Sequence, residues 1–179
     1  YGGAFSNHIL ATAAAANGEG FQSIGVIRGE ELSANSNPTL SRAAKLGMEL
    51  IFVTRNDFRI HKSELTLPKT RDCAPHGKLY FLPEGGTNQL AIKGCSEIID
   101  EVESEFDVCC SAMGTGGTFL GLLSTLKPNS QLFGFSALKG AWIQKEMEQL
   151  KQVYDISNDN YQIFQDDFFG GYGRFDQNL

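Results

Sequence analysis

The chain has 179 residues, of which 41% are hydrophobic and 20% are charged, and it carries a net charge of −6 at pH 7. This length provides one domain, or one domain and part of another, with enough apolar residues for a core. The acidic balance and the absence of a dense Lys/Arg run argue against nucleic-acid binding. No uninterrupted apolar run is long enough to cross a membrane, so we expect no membrane partner.

The cysteines indicate neither a metal site nor a disulfide framework. Four are present, and none of their spacings matches a metal-ligand or Cys-x-x-Cys pattern. We therefore predict no metal and a cytoplasmic, reducing location. Cys109 and Cys110 are adjacent in a strand-like run, where they point to opposite faces, and we expect both to be buried small hydrophobes.

Helices and strands alternate in the first half of the chain. Ser6 or Asn7 is a candidate N-cap for the first helix, and Pro38 and Gly47 are typical of the start and end of the second. Beyond the second strand the sequence is polar and loop-like or weakly helical. The predicted elements are a helix over 8–16, a strand over 23–27, a helix over 39–46, a strand over 49–53, and the polar segment 55–76.

The alternation continues in the second half. The predicted elements are a strand over 79–82, a helix over 89–104, a strand over 106–112, a Gly-rich turn leading into a helix up to residue 126, a strand over 131–136, a helix over 142–152, and a strand- and loop-like end over 153–172. This order predicts an α/β fold with parallel sheets and helices on both faces. We predict a division into 1–20, the start of a cofactor-side helix; 21–120, a smaller α/β domain; and 121–179, part of a larger one.

The most informative segment is the turn between the strand 106–112 and the following helix. Glycines allow a tight turn there, and the first N–H groups of the helix have no partner within it, so they can converge on a phosphate. A P-loop would need a lysine after the glycines, and a dinucleotide turn would need a third glycine where Phe119 stands. A cofactor held by a single phosphate, or a turn that binds nothing, remains open. The residues concerned are Gly114, Thr115, Gly116, Gly117 and Thr118.

Three segments together resemble a known family. They are Tyr1–His8 (YGGAFSNH), Leu82–Asn88 (LPEGGTN) and Ala112–Thr118 (AMGTGGT), in this order. The chain resembles the 1-aminocyclopropane-1-carboxylate deaminase and D-cysteine desulfhydrase family from residue 1 to about 174. The resemblance implies a tryptophan synthase β-like fold, of which this chain is an internal portion, and pyridoxal 5′-phosphate as the cofactor. It also implies a lyase or hydrolase that converts a small amino acid to a 2-oxo acid and ammonia, and a homodimer.

The resemblance also implies roles for individual residues. The turn 114–118 holds the cofactor phosphate, and Asn7 hydrogen-bonds to the phenolic oxygen of the pyridine ring. Ser6, Asn7 and His8 receive the substrate, and histidine at position 8 favours a desulfhydrase-type member. Tyr172, in Gly170–Gly173, corresponds to a family active-site tyrosine and is a candidate catalytic residue. The lysine that bonds to the cofactor is expected upstream of Tyr1, in a longer protein.

Simpler interpretations stay open at the residue level. Ser6 and Asn7 are also ordinary N-cap residues, His8 is as typical of a surface as of a site, and Tyr172 fits a packing aromatic. Two other functions also remain: a catalytically silent cofactor- or anion-binding protein of the same fold, and a nicotinamide-dependent oxidoreductase. The sequence after strand 131–136 has no acid at the position that a dinucleotide site uses, which counts against the oxidoreductase.

Overall fold

The chain divides into two compact units, Tyr1–Gly86 and Thr87–Leu179. The structure is a computed structural model that describes residues 1–61, 70, 78–136 and 142–165, apart from the side chain of Trp142. Each unit has a sheet and a hydrophobic core of its own. The domain boundaries near residues 20 and 120 that the sequence predicts stay a prediction.

The first unit is built on a pair of parallel strands. Its elements are α1 (Asn7–Gly18), β1 (Ile24–Arg28), α2 (Pro38–Lys45), β2 (Glu49–Val53), α3 (Arg55–His61) and a 3-10 turn (Glu84–Gly86). The strands pair in register from Ile24 with Glu49 to Arg28 with Val53. On the other side of β1, Gly2 forms a parallel bridge with Ile27, so the chain's first residues extend this sheet.

Helices cover both faces of this first sheet, as the sequence predicts. Ile27 points to α1 and α2, where it packs with Ile9 and Leu40. Its neighbour Val26 points to the opposite face and packs with Phe58 of α3. Successive residues of a strand point to opposite faces of the sheet. A sheet that is covered on both faces therefore needs adjacent apolar residues, one for each face.

The strand predicted over 79–82 is wrong, because these residues have an irregular conformation. They lie beside the chain's first residues, where the amino group of Tyr1 and the Leu82 carbonyl oxygen are 3.5 Å apart. Phe81 packs edge-on against the Tyr1 ring, with the ring centroids 5.4 Å apart. No described strand pairs with this stretch, and side-chain packing holds it beside the chain's first residues.

The second unit contains three parallel strands in the order β3-β4-β5. Its elements are α4 (Gln89–Asp100), β3 (Val108–Met113), α5 (Gly117–Thr125), β4 (Gln131–Ser136), α6 (Trp142–Val153) and β5 (Tyr161–Phe164). The predicted helix over 89–104 ends earlier than expected, at Asp100. The described helices pack on one face of the sheet, around the core residues Ile92, Phe119, Leu132, Met147 and Ile163.

The other face of this second sheet is exposed in the described part of the chain. Val108 and Phe135 are 44% and 40% exposed, and the Phe135 ring stacks on Phe164 at 5.0 Å between centroids. The expectation that both adjacent cysteines are buried is therefore wrong. Cys110 lies on the exposed face, whereas Cys109 points inward and is only half-buried.

The α/β class with parallel sheets is confirmed. In the described residues of the second unit, helices occupy one face and not both. Each helix within the described ranges falls short of the length and apolar character that a membrane span requires.

Candidate functional site

The Gly-rich turn 114–118 connects the carboxyl end of β3 to the first turn of α5. Gly116 is the N-cap residue and has a φ of 87°, in the left-handed region that glycine adopts without strain. No side chain hydrogen-bonds to the cap within the described residues. The first N–H groups of α5 therefore point out of the helix without a side-chain acceptor, in the arrangement that binds anions.

The three glycines of this turn have different surroundings. A Cβ atom added to Gly114 would meet none of the described residues within 4 Å, so this part of the turn has open space beside it in the described part of the chain. At Gly116 it would lie 2.3 Å from the Met147 Cε, and at Gly117 it would lie 2.8 Å from the Thr87 Oγ1. The turn is thus packed tightly on the protein side and is open at Gly114, where a bound group has room.

The hydroxyl groups of the two threonines of the turn contact side chains of α4 and of the residues just before it. The Oγ1 atoms of Thr115 and Thr87 are 2.8 Å apart, a hydrogen bond in which either can donate. The Cys95 thiol approaches the exposed hydroxyl of Thr118 at 3.8 Å, which is a weak contact. Thr115 and Thr118 therefore both lie at the N-terminal end of α5, as the sequence predicts.

Helices α4 and α5 lie side by side and run in the same direction. Thr87, just before α4, contacts the start of α5, while Ser96 near the middle of α4 accepts from Thr125 Oγ1 at the end of α5, at 2.8 Å. Parallel neighbouring helices bring their positive ends together, which is unfavourable. Neither helix has an acidic residue in its first turn to offset this. An anion at this shared end would relieve the repulsion.

Ser6, Asn7 and His8 form the start of α1 in the first unit. The Ser6 hydroxyl accepts a hydrogen bond from the Ile9 N–H at 3.4 Å, so Ser6 is the N-cap. Asn7 is the first residue of the helix and its side chain is exposed. The first turn of α1 contains no acidic residue, so its N–H groups can attract a carboxylate.

The half-buried imidazole of His8 has a defined position. A Cβ atom on Gly86 would lie 2.6 Å from the His8 Cε1, so Gly86 leaves the room that the ring occupies. On its own helix, the His8 Nδ1 lies 3.5 Å from the Thr12 Oγ1. Burial lowers the pKa of His8, which favours the neutral ring.

A cavity of about 770 Å³ within the first unit reaches this same ring. His8 and Thr12 contribute polar groups to its lining, and the segment 78–82 forms another wall. The sequence gives no sign of this cavity, because its walls come from segments about 70 residues apart.

The structure thus brings the predicted residues together in two sets. Residues 6–8 cluster in the first unit, and the turn 114–118 forms one surface in the second. The predicted catalytic residue Tyr172 lies outside the described residues. Thr87 contacts the turn although no pattern in the sequence predicted it there. Its place directly after Gly85 and Gly86, in one of the three motifs, was the available signal.

Curated relatives match about two thirds of the chain. A Thermotoga maritima protein named as a candidate 1-aminocyclopropane-1-carboxylate deaminase is 30% identical over 126 residues, which are 68% of this chain and 40% of that protein. An Arabidopsis thaliana protein named as a mitochondrial bifunctional D-cysteine desulfhydrase/1-aminocyclopropane-1-carboxylate deaminase is 30% identical over 136 residues. This match covers 68% of the chain and 34% of the relative.

The chain belongs to the 1-aminocyclopropane-1-carboxylate deaminase and D-cysteine desulfhydrase family. The predicted resemblance is therefore confirmed. The chain spans less than half the length of the Thermotoga maritima and Arabidopsis thaliana relatives. No family model matches it.

Two solved structures of hydrogen sulfide-producing enzymes share its fold. A hydrogen sulfide-producing enzyme from Fusobacterium nucleatum aligns with a TM-score of 0.59 at 21% identity, over 93% of this chain and 60% of that one. A second hydrogen sulfide-producing enzyme, solved with an alpha-aminoacrylate intermediate, aligns with a TM-score of 0.53 at 18% identity, over 80% and 44%. At these identities the likeness shows the fold alone, and it agrees with the α/β class predicted from the sequence.

Proposed function

We propose that this chain supplies cofactor- and substrate-binding residues of a pyridoxal-phosphate-dependent deaminase or desulfhydrase that acts on a small amino acid. The observation that carries the proposal is the turn 114–118. Among the described residues, its glycines leave the N-terminal end of α5 without a side-chain cap and leave open space at Gly114. Family membership supplies the identity of the phosphate-bearing group, since the turn alone would accept any phosphate.

The residues of the turn fit a monoester phosphate. The N–H groups at the start of α5 donate to its oxygens, and the hydroxyls of Thr115 and Thr118 add two further donors. The aligned dipoles of α4 and α5 favour the negative charge at this end. The turn can bind the phosphate without a lysine or an arginine, because its backbone donors have fixed positions and lose little entropy when the phosphate binds.

The residues at the start of α1 would position the other reacting groups. The free N–H groups of its first turn receive the substrate carboxylate beside the Ser6 hydroxyl. The side-chain amide of Asn7, which is exposed, would donate to the phenolic oxygen of the cofactor ring, a role that the family resemblance implies. When bound, pyridoxal phosphate withdraws electrons from the substrate Cα, which is the chemistry that the protein itself lacks.

His8 supports D-cysteine as the substrate over 1-aminocyclopropane-1-carboxylate. Histidine at this position is the residue that the resemblance associates with desulfhydrase-type members. Burial lowers the pKa of His8 and so favours the neutral ring, which can accept a hydrogen bond from the substrate. The products would be sulfide, ammonia and a 2-oxo acid. Tyr172 as a catalytic residue, a homodimer and a cytoplasmic location remain part of the proposal.

A specific observation counts against the nicotinamide-dependent alternative. Phe119 occupies the place of the third glycine of a dinucleotide turn, and its ring is 1% exposed. It packs edge-on against Tyr161, with the ring centroids 5.6 Å apart. A dinucleotide turn needs that third glycine for close packing of helix and strand, whereas here an aromatic ring fills the same place.

The test compares two forms of the vitamin that differ only in the phosphate. We expect the protein to bind pyridoxal 5′-phosphate more than about tenfold tighter than pyridoxal, because charged hydrogen bonds of this kind each contribute about 1.5–3 kcal/mol. Isothermal titration measures both. Pyridoxine 5′-phosphate and pyridoxine are the matched control pair, because neither has an aldehyde that could react with surface lysines and they too differ only in the phosphate. Equal affinities would rule the proposal out. The loaded longer protein, which includes the lysine expected upstream of Tyr1, should then release sulfide from D-cysteine in preference to L-cysteine.

A further inference from the structure

The contact between Thr87 and Thr115 joins two segments that are 28 residues apart in the sequence. Both side chains are half-buried, and their hydroxyl oxygens are 2.8 Å apart. Thr115 belongs to the turn proposed to bind the phosphate, whereas Thr87 precedes α4 and belongs to another motif. This contact therefore ties the turn to the start of the neighbouring helix.

The position of Thr87 is fixed from two sides. Its Oγ1 lies 2.8 Å from where a Cβ atom of Gly117 would stand, and its Cβ and Cγ2 lie 3.4 Å from that point, so the side chain fills the space that Gly117 leaves empty. The next residue, Asn88, caps α4 by accepting from the Ala91 N–H at 2.9 Å. Thr87 thus has little freedom to turn its hydroxyl away from Thr115.

A pair of hydroxyls has two protons, and one of them is used in the bond between the two oxygens. If Thr87 donates to Thr115, the Thr115 proton is left to point at an anion beside the turn. Hydrogen bonds in such a chain strengthen one another, so the second donor becomes better when the first bond is made. A lone Thr115 hydroxyl would rotate freely and lose entropy when it binds.

We infer that Thr87 is a positioning residue for the cofactor phosphate: it donates to the Thr115 hydroxyl and directs the Thr115 proton toward the phosphate. The inference rests on the proposed function, and it adds a residue outside the turn to the phosphate site. Thr87 itself need not touch the cofactor. Loss of its hydroxyl should weaken phosphate binding through Thr115 and through no other residue.

The test is a double-mutant cycle on binding. We expect Thr87→Val to weaken binding of pyridoxal 5′-phosphate by about fivefold to tenfold, which is the loss of one hydrogen bond between neutral groups, and to leave the affinity for pyridoxal unchanged. In a Thr115→Val background the same substitution should have no further effect, since contacting residues act as one unit. Thr87→Ser, which keeps the hydroxyl, should bind like the unchanged protein.

Thr125→Val is the matched control. It also removes one threonine hydroxyl bond between α4 and α5, but at the far end of α5, where Thr125 donates to the Ser96 carbonyl. It should leave both affinities unchanged. Equal effects of Thr87→Val and Thr125→Val, an equal loss for pyridoxal, or additive effects of the Thr87 and Thr115 changes would each overturn the inference.

The two proposals fail in different ways. If the protein without substitutions does not bind pyridoxal 5′-phosphate more tightly than pyridoxal, both the proposed function and the inference are refuted. If it does, but Thr87→Val binds pyridoxal 5′-phosphate with the same affinity, only the inference is refuted. If Thr87→Val does not fold, Thr87→Ala takes its place, and Thr87→Ser still reports whether the hydroxyl suffices.

Discussion

At the residue scale, two glycines of one turn serve different purposes. Gly116 has a left-handed backbone and is buried against Met147, so its lack of a side chain serves the fold. Gly114 is exposed, has no neighbour within 4 Å of its missing Cβ, and lies outside the left-handed region. None of the residues that the structure describes requires a glycine at position 114. The open space beside it is what a bound phosphate would use.

Alanine substitutions at these two glycines should therefore separate binding from stability. Gly114→Ala should change the free energy of unfolding by less than about 0.5 kcal/mol, as for a surface change, while weakening pyridoxal 5′-phosphate binding because the new methyl group occupies the open space. Gly116→Ala should lower the free energy of unfolding by about 1–3 kcal/mol, from backbone strain and overlap with Met147. Urea unfolding and titration calorimetry measure the two effects. Loss of stability in both variants, with binding retained by Gly114→Ala, would contradict the assignment.

At the element scale, the close approach of α4 and α5 depends on small residues between them. A Cβ atom on Gly121 would lie 2.3 Å from the Cys95 Cβ and 2.8 Å from the Ile92 carbonyl oxygen. The Thr125 hydroxyl donates to the Ser96 carbonyl oxygen across the same interface. Because the two helices are this close, the segment before α4 can contact the N-terminal end of α5. The packing of two elements thus determines the composition of the candidate phosphate site.

Widening this interface should cost stability. Gly121→Ala should lower the free energy of unfolding by about 1–3 kcal/mol, because the methyl group meets backbone as well as a side chain. Gly94→Ala is the control: it lies on the exposed side of α4 with nothing within 4 Å, and it should stabilise the protein by up to about 1 kcal/mol through helix propensity. Urea denaturation gives both values. A neutral Gly121→Ala would mean that the helices lie farther apart than described.

At the scale of the whole molecule, the two sheets differ in how they are covered. The first sheet has helices on both faces, whereas the described helices of the second unit lie on one face only. Right-handed crossovers from β3 to β4 and from β4 to β5 progress in one direction, which places α5 and α6 on the same side. The opposite face presents apolar side chains, among them Val108, Cys110 and Phe135.

The exposure of Cys110 on the open face of the second sheet leads to a prediction about thiol reactivity. Among the cysteines that the structure describes, we expect Cys110 to react first with iodoacetamide in the native protein, since it is exposed while Cys95 and Cys109 are partly buried. Burial also raises the pKa of the Cys109 thiol, which lowers its thiolate fraction. Peptide mapping by mass spectrometry after brief labelling identifies the site, and full labelling in urea is the control. Faster labelling of Cys95 or Cys109 would contradict the described face.

The sequence alone was enough for the local features of this protein. The predicted cap at Ser6 or Asn7 lies at Ser6, and the predicted Gly-rich turn leads into α5 at Gly116, both through contacts within a few residues. Strand and helix periodicity indicated the α/β class, and the three motifs indicated the family. Helix caps, turns and the types of the elements can be predicted from the sequence because the interactions that produce them link near neighbours along the chain.

Only the tertiary structure decided which distant residues meet. It paired Thr87 with Thr115, placed Gly86 against His8, left Cys110 on an open sheet face, and gave the residues at 79–82 no ladder. Each of these depends on how whole elements pack, and the packing of side chains from remote segments leaves no periodic signal in the sequence. The motif residues were visible from the start, but their partners were not.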